Sequence, residues 1–521
     1  MIRASFNPTS VKSPVTFVCF CLSLTVARSQ IAVPAWSQYY DGPQNSTDQG
    51  TAMTVDRTGN VFVTGQSIGS GNLLDYDYAT IKYSGGGVPL WTNRYNGPAA
   101  PAMSWDSAAA IAVDTNGDAF VTGYSYGGSS GYDYATVKYS SVGLPLWTNR
   151  YNGPGNSDDY GKAIAVDAGG NVIVTGYSTG SGSGVDYATI KYSSTGVPLW
   201  TNRYNGPGNG YDQANAVAVS TNDHVLVTGY STGSGSGFDY ATIEYSSAGL
   251  PLWTNRYNGP ANGDDKAMAI AADANGNVLV TGSSTNGSNL DYATIQYSDA
   301  GVPLWTNRYD GSGNGDDFAA RVATGGNGNV FVTGASLRGH SIYGDMFDYA
   351  TVAYSSAGLP LWTNRYTGVG DDNEANAIAV DSHGDVVVTG QSIASASVQY
   401  SYVCATVAYT GAGAPLWTNR NTAKSFGQAI ASDSEGNVFI TGYWVVAGSD
   451  HNYLTIKFSL VEPPLYFQTL ENQLVLSWNN AGFSLQSAPD LSGLFTNVPG
   501  AMSPYTNPLT AGQQFFRLVS D

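Results

Sequence analysis

Aspartate recurs along this chain at regular positions where it could do chemistry. It stands eight residues before the end of an Ala-rich segment in six of eight successive stretches, and Asn373 and Ser425 take the other two places. The six residues are Asp48, Asp106, Asp159, Asp212, Asp265 and Asp317. Clustered carboxylate oxygens bind hard cations such as Ca²⁺, whereas an aspartate at a turn can also accept hydrogen bonds from its own loop. The sequence therefore predicts either a ring of calcium ligands or a set of loop caps.

A second set of aspartates recurs 17 residues before an arginine, at the two charged ends of a predicted β-hairpin. The pairs are Asp77 and Arg94, Asp133 and Arg150, Asp186 and Arg203, Asp239 and Arg256, Asp291 and Arg308, and Asp348 and Arg365. The closing copy loses both charges, to Asn452 and Tyr39, and the seventh keeps Arg420 but has Val403. We interpret the pairs as structural, worth ~0.2–1 kcal/mol each if exposed, because a catalytic group repeated six times would be redundant.

A catalytic site, by contrast, should depart from the repeat. The four histidines fall at unrelated points and offer no metal-ligand spacing. The most divergent loops are "SLRGHSIYGDMFDY", with Arg338, His340 and Asp345, and "SIASASVQYSYVC". The first could hold the catalytic cluster of a polysaccharide-acting hydrolase or lyase, or it could be a plain loop insertion. No catalytic residue is assigned.

The elements that position these residues repeat with the tryptophans. Eight copies are marked by Trp36, Trp91, Trp147, Trp200, Trp253, Trp305, Trp362 and Trp417, which are 52 to 57 residues apart. Each copy holds four strand-like runs, such as Lys162–Asp167, Asn171–Ser178, Asp186–Ser193 and Pro198–Tyr204. A period slightly above 50 with four antiparallel strands is typical of a propeller blade. The sequence predicts eight blades with the Ala-rich strand innermost, because small side chains fit near the axis.

The two ends of the repeat region predict how the ring closes. A lone outer strand, Pro34–Gly42, comes first, and the last repeat, Phe426–Ser459, has only three strands. We therefore expect the N-terminal strand to complete the eighth blade. The outer-to-inner and second-to-third connections fall on one face and vary in length, which favours ligand binding there.

The N-terminus predicts export. A positive start precedes a 13-residue apolar run, Val15–Ala27, which is too short to span a bilayer, and small residues follow at Ala27 and Ser29. Cleavage after Ser29 would leave 18 basic and 39 acidic residues, a net charge of −21. That charge argues against nucleic acid or an anionic membrane as partner. We expect no transmembrane segment in the mature chain, which would be secreted, periplasmic or attached to the cell surface.

Three stretches carry a resemblance to a known family. "AIAVDAGGNVIVTGYS", "AIAADANGNVLVTGSS" and "AIASDSEGNVFITGYW", each followed by "DYAT" or "NYLT", resemble the bacterial SBBP β-propeller repeat and are similar to delta-60 repeats. The resemblance covers about residues 32–459. It implies an exported bacterial propeller but no particular reaction, because this fold hosts many functions.

The remaining residues resemble a small β-domain at the end of exported bacterial proteins, through "L-x-W", "LQ-x-x-x-DL" and "FFRL". We therefore predict a signal peptide at residues 1–29, an all-β eight-bladed propeller at 30–461 and a β-sandwich-like domain at 462–521. The predicted function is an exported, monomeric, non-catalytic scaffold that binds a glycan, a protein or a cation such as calcium. The polysaccharide-acting enzyme is the alternative.

Overall fold

The structure is a computed structural model that describes residues 2–4, 31–69, 75–98, 105–341, 344–395, 398–446, 450–461, 465–470, 473–478, 483–489, 495–508 and 514–520. Over these residues the secondary structure is all β, without a helix. The predicted signal peptide lies outside the described residues, apart from a short strand at Ile2–Ala4.

Eight antiparallel four-stranded sheets form the blades of a propeller. The inner strands are Asp48–Val55, Ser107–Val113, Asp159–Val166, Asp212–Val219, Asp265–Ala272, Asp317–Thr324, Asn373–Val380 and Ser425–Ser432. The second strands are Val61–Ile68, Ala119–Tyr126, Val172–Thr179, Val225–Thr232, Val278–Thr285, Val330–Ser341, Val386–Ser395 and Val438–Val445. The third strands are Tyr76–Tyr83, Tyr132–Tyr139, Val185–Tyr192, Phe238–Tyr245, Leu290–Tyr297, Gly344–Tyr354, Val398–Tyr409 and His451–Val461. The outer strands of blades 1 to 7 are Pro89–Tyr95, Pro145–Tyr151, Pro198–Tyr204, Pro251–Tyr257, Pro303–Tyr309, Pro360–Tyr366 and Pro415–Arg420.

The outer strand of blade 8 comes from the other end of the chain. Ile31–Tyr40 completes the sheet whose other strands are His451–Val461, Val438–Val445 and Ser425–Ser432. The inner strand of blade 8 also neighbours that of blade 1, Asp48–Val55, so the ring is closed. The prediction of an eight-bladed propeller closed by the N-terminal strand is confirmed.

A buried tyrosine on the third strand joins seven of the eight blades to the next, and Cys404 takes its place in blade 7. Tyr187 is almost fully buried, and its hydroxyl donates to the carbonyl oxygen of Ala241 at 3.1 Å. The same bond recurs from Tyr78, Tyr134, Tyr240, Tyr292 and Tyr349. Tyr453 closes the circle by donating to Ala79 at 3.1 Å. A buried hydroxyl needs such a partner, so the tyrosine of the "DYAT" motif fixes the distance between blades.

The outer-strand tryptophan makes a second joint with the next blade in blades 1 to 6 and in blade 8. Trp147 donates from Nε1 to the carbonyl oxygen of Ser194 at 3.2 Å, and Asn149 donates to that of Gly196 at 2.7 Å. Gly196 has a φ of 85°, and a Cβ there would lie 2.9 Å from the Trp147 ring. Only glycine tolerates both this backbone conformation and this approach, which explains why the "TGVPLW" turn repeats.

The chain divides into two compact units. One comprises Pro34–Gly413 and Asn419–Phe458, and the other Met1–Val33, Ala414–Thr418 and Ser459–Asp521. The second unit contains two small sheets, built from Ile2–Ala4, Phe483–Ala488, Thr496–Asn497 and Gln514–Ser520 and from Tyr466–Leu470, Gln473–Ser477 and Tyr505–Pro508. Their strands contribute to one hydrophobic core that includes Leu474, Leu476, Trp478, Leu485 and Phe516. This arrangement fits a small sandwich-like β-module.

Ring closure by the N-terminal strand gives a first prediction. Deleting Ile31–Tyr40 removes the outer strand of blade 8 and leaves an unpaired edge, so the melting temperature should fall and aggregation should rise. A synthetic peptide of residues 31–42 should restore the melting temperature by adding back as a strand. Thermal unfolding and light scattering measure both effects, and an unchanged melting temperature with a monomeric product would overturn this role for the strand.

Candidate functional site

The loops that vary in length lie together on one face, here called the loop face. In blade 3 the backbone N–H of Gly155, in an outer-to-inner loop, donates to the carbonyl oxygen of Thr179 at 3.0 Å. The N–H of Val185 donates to Gly210 of the next outer-to-inner loop at 3.2 Å. The two kinds of variable loop therefore support each other, and the short turns that link inner to second strands fall at the opposite end of the blade.

The six aspartates of the predicted cation ring begin their inner strands and are buried against their own loops. Asp159 accepts backbone hydrogen bonds at both oxygens, from Gly153 at 2.6 Å and from Thr179 at 3.0 Å. Asp106, Asp212, Asp265 and Asp317 repeat this arrangement. Asp48 accepts from Gly42 at 2.6 Å, and its other oxygen is buried without a partner. This geometry is that of loop caps.

The close approach of three aspartates is the geometric observation that supports the cation prediction. Burial raises the pKa of Asp317 to about 6, although hydrogen bonds from Ser336 and Gly311 lower it. Carboxylate oxygens of Asp291, Asp310 and Asp317 lie within 4.8 Å of one another. The donors already bound to Asp317 use both of its oxygens. Calcium binding stays a prediction for these carboxylates.

The structure joins the two sets of aspartates into one network in blades 1, 2, 3, 5 and 6. Arg203 approaches Asp186 at 2.7 Å, and its other terminal nitrogen donates to Ser178 at 2.5 Å and to Tyr151 of the preceding blade at 3.1 Å. Ser178 also hydrogen-bonds Asp159. The arginine–aspartate contacts of the six pairs span 2.7 to 3.1 Å. The arginine therefore ties the loop cap, the hairpin and the neighbouring blade together.

These ion pairs are more buried than the surface pairs that the sequence suggested. The side chain of Asp186 is 5% exposed and that of Arg203 is 22% exposed. The second carboxylate oxygen is buried without a hydrogen-bond partner in Asp77, Asp133, Asp186, Asp239 and Asp348. In blade 5, Asn286 donates to that oxygen of Asp291 at 2.9 Å. Burial makes each pair costly to break from one side.

In the divergent hairpin of blade 6, His340 and Asp345 contact each other, whereas Arg338 contacts other residues. His340 contacts Asp345 at 2.7 Å, with side chains 72% and 56% exposed. Arg338 instead approaches Asp348 at 3.6 Å and Asp371 at 3.5 Å. An exposed His–Asp pair on a hairpin has the geometry of a surface ion pair.

A continuous row of aromatic side chains crosses the loop ends of blades 2 to 4. Successive ring centroids lie 4.8, 4.9, 5.9, 6.2 and 5.0 Å apart. The row, here called the aromatic arc, consists of Tyr124, Tyr160, Tyr177, Tyr211, Tyr230 and Phe238. Tyr211 is 36% exposed and the others are half-buried. Polar groups border it, since Tyr211 and Tyr230 both donate to Gln213, at 3.0 and 3.1 Å.

The aromatic arc was missed by the sequence analysis, although a signal for it exists. Four positions differ between otherwise similar copies: the residue before the capping aspartate, the residue after it, the residue after "VTG" and the residue before the "DY" pair. In blade 3 they hold Asp158, Tyr160, Tyr177 and Val185, and in blade 4 the first holds Tyr211. In blade 5 Lys266 and Ser283 take the second and third. Comparing copies for their differences would have found them, but only the structure shows that the rings of neighbouring blades touch.

Comparisons with known proteins support the fold. Residues 35–72 match the SBBP β-propeller repeat family, which confirms the predicted resemblance. An uncharacterized WD repeat-containing protein of Acanthamoeba polyphaga mimivirus is 25% identical over 238 residues. That alignment covers 36% of this chain, and the chain spans 17% of the relative's length.

Solved structures with a similar fold are distant in sequence. Sqt1 from Chaetomium thermophilum is 10% identical with a TM-score of 0.51, over 81% of this chain and 99% of that chain. The polysaccharide lyase Uly1 is 11% identical with a TM-score of 0.41, over 82% of this chain and 98% of that chain. The likeness to Sqt1, at 10% identity, shows a propeller fold alone and leaves activity open.

The buried carboxylates predict an unusual response to pH. Because the folded pKa of Asp317, about 6, exceeds the ordinary 3.8, the stability it contributes is fully present below about pH 4 and is lost as the pH rises through about 6. Asp317→Asn should therefore flatten the change in unfolding free energy between about pH 4 and 7, by about 1–3 kcal/mol. Urea unfolding at both pH values measures this, and a slope equal to that of the wild type would contradict it.

The response of the melting temperature to calcium tests the cation prediction directly. The cation prediction requires that millimolar Ca²⁺ raise the melting temperature and that Asp159→Asn with Asp265→Asn blunt the rise. Identical melting curves in calcium and in chelator would leave these carboxylates as loop caps alone.

Blade 7 supplies an internal control for the ion pairs. Arg420 contacts Tyr366 and Ser392 as the other arginines contact their equivalents, but Val403 takes the place of the aspartate. Arg203→Ala should cost about 3–5 kcal/mol because it leaves Asp186 buried and unpaired, and Arg420→Ala should cost clearly less. Denaturant unfolding compares the two, and equal losses would show that the carboxylate plays no part.

Proposed function

We propose that this protein is an exported, non-catalytic β-propeller scaffold that binds an extracellular ligand through its loop face. The observation that carries the proposal is the location of the differences between blades. The joints between blades use the same tyrosine, tryptophan, asparagine and arginine in copy after copy, whereas the loop face presents a different set of side chains over each cleft. A scaffold for recognition is expected to keep its framework constant and to vary its exposed end.

Each cleft of the loop face has its own chemistry. Trp105, 44% exposed, stacks on Tyr76 beside blade 2 with centroids 5.3 Å apart. Gln49 hydrogen-bonds His451 at 2.8 Å where blades 1 and 8 meet. Phe318, 39% exposed, packs near Phe347 in blade 6. This variety supports one asymmetric ligand across several blades better than eight equivalent sites.

Export is supported by the predicted signal peptide, and the acidic composition fits an exported protein. Among the residues that the structure describes, no helix is long and apolar enough to cross a membrane. The single cysteine of the predicted mature chain, Cys404, is free and buried. The exported form is expected to act as a monomer.

The proposal is tested by measuring binding and turnover on the same material. The full chain is run through native gels that contain β-glucan, xylan, alginate or pectin, and the same polysaccharides are assayed for new reducing ends and unsaturated products. We expect retardation in at least one gel and no product. Product formation that His340→Ala abolishes would replace the scaffold by the polysaccharide-acting enzyme.

A matched pair of variants locates the binding surface. Replacing the loop-face segment Gly180–Gly184 with the shorter connection of blade 5 should weaken retardation. Val142→Ser, at a 72% exposed position in a turn at the opposite end of blade 2, should leave it unchanged. Retardation that is lost only with Val142→Ser would contradict binding through the loop face.

A further inference from the structure

We infer that the aromatic arc binds an uncharged, extended glycan lying along the loop ends of blades 2 to 4. This inference rests on the proposed function and names the ligand class for one part of the loop face. It follows from the spacing of the rings, their partial burial, the polar groups beside them and the local charge.

The rings form a recessed row whose exposed edges and faces suit the apolar face of a sugar. The axial C–H bonds of a pyranose carry partial positive charge and are attracted to the negative face of an aromatic ring. Six rings in contact, crossing the cleft between blades 2 and 3 and that between blades 3 and 4, extend beyond a single sugar unit. The arc therefore favours an oligosaccharide or a polymer segment over a monosaccharide.

The arc also provides the hydrogen bonds that sugar hydroxyls require. Gln213 accepts from Tyr211 and Tyr230 and donates to Asn215 at 2.7 Å, so amides and hydroxyls line one edge of the rings. Because the Tyr230 hydroxyl donates its proton to Gln213, its oxygen can act towards a sugar hydroxyl as an acceptor. A few placed polar groups beside apolar surface are typical of small-ligand sites.

The local charge disfavours an acidic glycan. Two lysines lie beside the arc, and both face other groups. Lys162 lies over the ring of Tyr177 at 5.6 Å, and burial lowers its pKa. Lys266 lies 4.9 Å from the ring of Phe238 and is paired with Asp264 at 3.1 Å. Because the whole chain carries a net charge of −18, an anionic polymer would also be repelled at long range.

The burial of the rings favours a glycan over a protein partner. Protein interfaces depend on aromatic anchors that protrude into pockets of the partner. Of the six rings only Tyr211 exceeds a third exposed, and the others are partly covered by each other in the clefts. A recessed row of ring edges and faces accommodates a thin chain of sugars better than a broad protein surface.

Binding is tested with the full exported chain and defined oligosaccharides. Cellohexaose, laminarihexaose, xylohexaose and chitohexaose are the uncharged probes, and an alginate hexamer is the anionic one. Isothermal titration should give saturable binding to at least one uncharged probe. If no uncharged probe binds at millimolar concentration, the inference is overturned.

Two substitutions introduce the residue type found at the equivalent position of another blade, so the fold should tolerate them. Tyr160→Gln copies Gln213 of blade 4, and Tyr177→Ser copies Ser283 of blade 5. Each should weaken binding about tenfold, the loss expected for one aromatic contact. Val142→Ser, at a 72% exposed position in a turn at the opposite end of blade 2, is the control and should change affinity less than twofold. Equal affinity in all three variants would overturn the assignment to the arc.

The outcomes separate this inference from the proposed function. Binding of the alginate hexamer, or of a protein ligand, that needs the loop face but survives Tyr160→Gln and Tyr177→Ser would overturn the glycan site while leaving the scaffold in place. A wild-type chain that is retarded in no polysaccharide gel and binds no protein ligand, in contrast, would remove the proposed function itself.

Discussion

The hydrogen bond from a buried tyrosine hydroxyl to a carbonyl oxygen of the next blade is the constraint on which the rest of the structure depends. Blades 1 to 6 and blade 8 each donate one such bond to the next blade, which fixes the spacing at those junctions, whereas blade 7 has Cys404 at this position. The tryptophan–glycine joint and the arginine network act at the same junctions farther out. The segment Asp186–Pro207 contains the tyrosine, tryptophan, asparagine and arginine of one junction between blades. Similar segments recur along the chain because similar junctions recur around the ring.

The sequence predicted well those features that every copy shares. Blade number, strand order and closure by the N-terminal strand followed from the spacing of the tryptophans and from the three-stranded last repeat. The pairing of Asp186 with Arg203 followed from hairpin geometry. That Ser178 and Tyr151 would join this pair to Asp159 did not follow, because those contacts depend on how a blade lies against its neighbour.

Features that belong to one part of the ring were harder to predict. Tyr124 and Tyr160 stand 36 residues apart in the chain and Tyr177 and Tyr211 are 34 apart, yet their rings touch because their blades do. The capping aspartates illustrate the opposite problem. Their recurrence predicted an acidic ring or loop caps equally well, since recurrence alone says nothing about which groups face each carboxylate. Only the backbone donors at Gly153 and Thr179 separate the two interpretations locally.

Closure by Ile31–Tyr40 has a consequence for the way the polypeptide is made. This strand is among the first parts of the propeller to be synthesised, but its partner, His451–Val461, is made more than 400 residues later. Until His451–Val461 has been synthesised, Ile31–Tyr40 has no strand to pair with in its sheet. Any product that stops before blade 8 leaves the first strand without its partner. Because an unpaired strand is open to proteases, truncated chains should be degraded faster than complete ones.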